Sequence, residues 1–81
     1  MCRVHEPDPP PWIAARQRQI GERVRLARLG ADLTQEGLRE RTGLSRDTVI
    51  RIEAGTTDAR LSWLLLIAAA LGVTVAELVA E

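Results

Sequence analysis

Lysine, tyrosine and phenylalanine are absent from these 81 residues, and cysteine, histidine and methionine occur once each. A lone Cys2 excludes an internal disulfide and leaves no thiolate cluster for a metal. His5, the only histidine, lies in a tail and is assigned no role; no plausible triad and no phosphate-binding glycine loop are present, so an enzyme is the least favoured class and no cofactor is expected. Trp12 and Trp63 are the only aromatics, so the core has to be built from Leu, Ile, Val and Ala. The apolar run Leu64–Leu71 is far too short to span a bilayer. The first residues are polar and proline-rich rather than signal-like, and a cytoplasmic location is expected. No period-two strand pattern and no internal repeat occur, and nothing suggests a small-molecule ligand.

What remains is a short, charge-rich chain with 46% hydrophobic residues and a formal net charge of zero. Its length predicts one domain with a thin stability margin. Zero net charge argues against a strongly basic nucleic-acid binder, but the distribution is uneven. Between Trp12 and Arg60 there are ten Arg against seven acids, whereas Glu6, Asp8, Glu77 and Glu81 lie towards the ends. Every cation is an arginine, able to grip a phosphate or a guanine in bidentate geometry.

Prolines at 7, 9, 10 and 11 predict a flexible or polyproline-like arm over residues 1–11, with the domain over 12–81. Pro11 also suits the first turn of a helix beginning there. Ile13, Ile20, Val24 and Ala27 recur at helical spacing over Trp12–Leu29, a helix ended by Gly30-Ala31-Asp32. Thr34 caps a short second helix that ends at Thr42-Gly43. Ser45 caps a third, with Asp47 near its positive end and Ala54-Gly55 at its close. Leu61–Leu71 is a fourth helix, apolar on nearly every face, and Thr74 caps a last one over Val75–Ala80.

Two short helices joined at Gly43 allow a steep crossing that projects the second helix outwards, where a major groove can admit it. The motifs Leu33-Thr-Gln35, Thr42-Gly-Leu-Ser45, Arg51-Ile-Glu53-Ala-Gly55 and Ile67-Ala-Ala-Ala-Leu-Gly-Val73, taken together, resemble the lambda-repressor/Cro (XRE) helix-turn-helix family. The resemblance spans about Ile20 to Leu78. It implies an all-α, compact five-helix lambda-repressor-like domain with the helix-turn-helix at helices 2 and 3. It also implies sequence-specific binding of double-stranded DNA by a transcriptional regulator of repressor type, with a recognition helix at about residues 45–54. By position, Arg46, Asp47, Ile50 and Arg51 are implied as base readers. Arg46 or Arg51 would take guanine O6 and N7; Asp47 would accept from a cytosine amine or orient an arginine; Ile50 would touch a thymine methyl or face protein. Gln35, Ser45, Thr48 and Arg25 are implied as phosphate contacts. Arg28 and Glu53 match a partly buried structural ion pair.

Several positions depart from the family pattern. Arg39 stands where alanine is usual and has to snorkel outwards. Gly37 costs its helix roughly 1 kcal/mol against alanine. Asp32 replaces a loop glycine, and Asp58 puts negative charge in a loop that usually holds phosphates. Trp63, Leu66 and Ala69, three apart on helix four, replace usually polar residues and predict an exposed apolar stripe. That stripe, with Trp12, Val75 and Leu78, is expected to form a homodimer seam, although Trp63 folded back as core is a competing reading. Two rival functions remain: a protein-interaction module of the same fold that binds a partner through helix four, and the antitoxin half of a toxin–antitoxin pair.

Overall fold

The computed structural model describes residues 8–81, so Cys2, His5 and most of the expected proline-rich arm lie outside the described residues. Asp8, Pro9 and Pro10 are exposed and non-helical. Helix α1 then runs Pro11–Gly30, with Pro11 at its start, one residue earlier than the spacing predicts. Proline is suited to that position because its missing N–H has no helical partner there anyway. The helix ends where the chain turns through Ala31 and Asp32, and Asp32 takes a left-handed φ of 57°. A short polar side chain is among the few that tolerate this conformation.

Helices α2 (Gln35–Thr42) and α3 (Arg46–Ala54) each start on a hydroxyl cap. Thr34 Oγ1 accepts from the Gly37 amide at 3.0 Å and Ser45 Oγ from the Thr48 amide at 3.1 Å. Each cap satisfies one of the otherwise orphaned donors of a helix start. Gly43 separates the two helices at φ 75°, a left-handed conformation that stops α2 and redirects the chain within three residues. Helix α4 (Leu61–Leu71) comes after a loop, and α5 (Val75–Val79) closes the fold behind a reciprocal box between Thr74 and Glu77. No strand occurs among the described residues.

The five helices meet around Val24, Leu38, Val49, Ile52, Ile67, Ala68 and Leu78, all buried. One or two residues come from each helix, so no helix can leave without opening the core to water. Of the four α1 residues at the expected apolar spacing, Val24 is fully buried, while Ile13, Ile20 and Ala27 are half-buried. Leu38, Val49 and Ile52 are buried, and the half-buried Leu44 packs against them.

Two expectations for the apolar surface are corrected. Trp63 is half-buried and packed against the core, with the Arg60 guanidinium 5.3 Å above its ring, so it does not stand in an open stripe. Leu78 is core at 1% exposure and unavailable to a seam. The face that α4 leaves in solvent carries Leu66 and Ala69 of that stripe together with Leu61 and Leu65, and no residue of α4 is charged. No helix among the described residues is long and apolar enough to cross a membrane.

Candidate nucleic-acid interface

The residues of α3 divide cleanly between two faces. Val49, Ile52 and Glu53 are buried, and Arg46, Asp47, Ile50 and Arg51 are exposed. Spacings of three and four place each set on one side of the helix. The burial of the first set therefore compels the second to face outwards. Ser45, as cap, holds the start of this face in place, and its Oγ lies 2.8 Å from Thr48 Oγ1. Both hydroxyls flank the N-terminal end of α3, where backbone dipoles favour an anion.

Beneath that face sits the buried pair that locks α3 to α1. Arg28 Nε donates to Glu53 Oε2 at 2.7 Å and Nη2 to Oε1 at 3.1 Å, while Nη1 donates to the Leu33 carbonyl at 2.8 Å. The bidentate geometry and the third bond satisfy the guanidinium in a site from which water is largely excluded. Gln35, the first residue of α2, joins the same cluster, its Nε2 donating to Glu53 Oε1 at 3.1 Å. One carboxylate therefore ties three helices together. Gln35 keeps a second N–H beside the start of α2.

Close backbone approach completes the lock. A Cβ on Gly21 would lie 2.4 Å from the Ile52 carbonyl oxygen and 2.6 Å from that of Glu53, and one on Gly55 would lie 2.6 Å from Arg18 Cα. These glycines let α1 press directly against the end of α3. Residue spacing alone does not single out Gly21, although an isolated glycine inside a helical pattern is the signal that a neighbour comes close.

The charges around this face are partly spoken for. Five arginines have carboxylate partners: Arg16 with Glu81, Arg25 with Glu22, Arg28 with Glu53, Arg39 with Glu36 and Arg51 with Asp47. Arg25 grips Glu22 through two bonds of 3.0 Å, so a phosphate at Arg25 has to compete with that carboxylate. These bonds hold the Glu22 carboxyl below its ordinary range, and Arg39 does the same for Glu36. Arg39 reaches its partner by lying along the surface of α2. Arg18, Arg23, Arg41, Arg46 and Arg60 have no carboxylate within ion-pair distance among the described residues. Arg60, in the loop before α4 and steadied over Trp63, is not among the expected contacts. A cation three residues before a tryptophan at a helix start is the pattern that marks it. No group of acidic, histidine or cysteine side chains suited to a metal ion occurs among the described residues.

Comparison with known proteins agrees with this arrangement. A helix-turn-helix domain family matches residues 19–80. Among solved structures, the chain is similar to the restriction-modification controller protein C.AhdI from Aeromonas hydrophila, at 34% identity and a TM-score of 0.77, over 79% of this chain and 97% of that one. It is also similar to the hypothetical transcription factor NHTF from Neisseria, at 28% identity and a TM-score of 0.79, over 98% of this chain and 91% of that one. No curated protein matches it. With α2 and α3 crossing at Gly43, the outward face of α3 and a family match over most of its length, the chain belongs to the helix-turn-helix domain family, an all-α fold of DNA-binding transcription regulators.

Proposed function

We propose that this chain is a sequence-specific DNA-binding regulator of repressor type, acting as a cytoplasmic homodimer without catalysis or cofactor. The observation that carries the reading is the single exposed face of Arg46, Asp47, Ile50 and Arg51 on a helix whose opposite side is anchored in the core. Placed in a major groove, this face meets base edges, while Ser45, Thr48, Gln35 and, once released from Glu22, Arg25 meet phosphates. The similarity to a restriction-modification controller and to a hypothetical transcription factor supports the regulator class. Arg46→Ala and Arg51→Ala are each expected to cost about 1–3 kcal/mol at the base pair they read and little elsewhere. Titration against a selected site and its single-base variants checks this, and uniform weakening across all sequences would make both residues phosphate contacts instead.

The exposed α4 face is proposed as the seam for a second copy. Leu61, Leu65 and Leu66 are 65%, 54% and 45% exposed on a helix without a charge, a surface that a twofold copy covers without burying any unpaired ion. Leu66→Glu, unlike a change at the half-buried Trp63, leaves the core alone. It is expected to shift sedimentation from dimer to monomer and to weaken binding to a two-half-site operator. An unchanged sedimentation coefficient would remove α4 from the interface.

One observation favours a second reading, a protein-interaction module with weak DNA binding that docks a partner on α4. It is the pairing of half of the ten arginines between Trp12 and Arg60 with carboxylates, which leaves fewer cations for phosphates. DNA binding that is lost at moderate salt, with a chain that remains monomeric, would favour it.

A further inference from the structure

Asp47 is an odd residue for a surface offered to a polyanion. Its side chain is 69% exposed on the same face as Arg46 and Arg51. An acid in the first turn suits the helix dipole, but a carboxylate carried towards DNA also opposes every phosphate it approaches. The structure gives it a particular partner. Asp47 Oδ2 lies 3.0 Å from Arg51 Nε, one turn further along. Arg46, at the same end of the helix, has no such partner among the described residues. The two arginines of this face are therefore unlike, one tethered and one not.

The tether has two opposed effects. With Asp47 on its Nε side, the Arg51 guanidinium keeps its Nη1 and Nη2 end for guanine O6 and N7, and less rotamer freedom is lost on binding. The carboxylate also enters the groove with it. There it is compensated only while Arg51 stays beside it and a base donor, such as cytosine N4, faces its other oxygen. Over a base that offers Arg51 no acceptor pair, or that turns an acceptor towards Asp47, the same carboxylate is repulsive. A repulsive element of this kind raises discrimination by weakening the wrong complexes more than the right one.

We propose that Asp47 is a specificity-determining residue that acts through Arg51, lowering affinity for DNA in general while sharpening the preference for a guanine beneath Arg51. The proposal rests on the reading of α3 as the recognition helix. Its test uses the full chain and the variants Asp47→Ala, Asp47→Asn, Arg51→Ala and Asp47→Ala/Arg51→Ala. All change exposed side chains, so the core is untouched. Each is titrated at one salt concentration against the site selected by the wild type, its single-base variants and a random duplex. Arg51→Ala is expected to reduce preference at one guanine by roughly tenfold or more. Both Asp47 variants should tighten binding to the random duplex and reduce preference at that same guanine. The double variant should bind the selected site better than Arg51→Ala alone, because an uncompensated carboxylate has been removed. Asp47 variants that keep the full guanine preference, or that bind random DNA more weakly than the wild type, overturn the proposal and leave the recognition helix standing. A wild type that selects no site overturns both.

Discussion

Replacing Gly21 by alanine is expected to destabilise the domain by about 3 kcal/mol or more, although alanine is the better helix former by about 1 kcal/mol. The added methyl would stand 2.4 and 2.6 Å from two backbone carbonyl oxygens of α3. No rotamer change can relieve that contact, since both partners are main chain. Relief requires α3 to move away from α1, and such a shift also separates Arg28 from Glu53. A domain of this size has a total stability of only several kcal/mol, so a large share of it would be lost. Urea denaturation monitored by circular dichroism measures the effect. A change under about 0.5 kcal/mol, the range of an ordinary surface substitution, would mean that the two helices are not pressed together as described. Gly55→Ala should behave similarly, because its φ of 71° adds backbone strain to a 2.6 Å contact with Arg18 Cα.

The second large effect is expected at the buried pair. Its side chains are 10% and 4% exposed, so Arg28→Met leaves the Glu53 carboxylate with Gln35 as its remaining side-chain partner. Removing one member of such a pair costs about 3–5 kcal/mol, whereas replacing both by apolar groups of similar volume is often neutral or stabilising. Arg28→Met/Glu53→Leu should therefore be more stable than Arg28→Met alone. DNA binding by the double variant separates the roles of the cluster. If Glu53 serves only to hold α1 to α3, affinity returns with the fold; if it also aims Gln35, stability recovers and affinity does not. A double variant no more stable than the single one would show that the pair is not the buried, mutually compensating unit seen here.

Much of the fold is written in local chemistry. Thr34, Ser45 and Thr74 are hydroxyl caps that need only their own helices, and Gly43 and Gly55 stop helices through conformations that favour glycine. These features, with the helical spacing of Val24, Leu38, Val49, Ile52 and Ile67, locate five helices and most of the core from the sequence. The outward face of α3 comes from the same spacing, since burying Val49 and Ile52 leaves Arg46 and Arg51 to solvent. The Arg28–Glu53 pair is legible only through resemblance, because nothing local to either residue points to the other. Features that depend on how helices dock are not legible. An isolated glycine at 21 signals a close neighbour but not which one, so the α3 carbonyls are not legible from it, and Gln35 gives no sign of Glu53. Helix α4 is apolar all round, so its periodicity cannot say that Trp63 turns inwards while Leu61 and Leu65 stay out. Leu78 lies on a helix too short for a reliable face, and it is core.

On the proposed reading, the exposed face of α3 reads bases from a phosphate-gripping frame. Duplex binding at two salt concentrations, coupled to selection from a random-sequence pool, tests it most directly. The expected result is a defined, twofold-symmetric site whose half-sites lie about one helical turn apart, with affinity falling steeply as salt rises. Absence of detectable binding at low salt, or binding without any selected sequence, would contradict it.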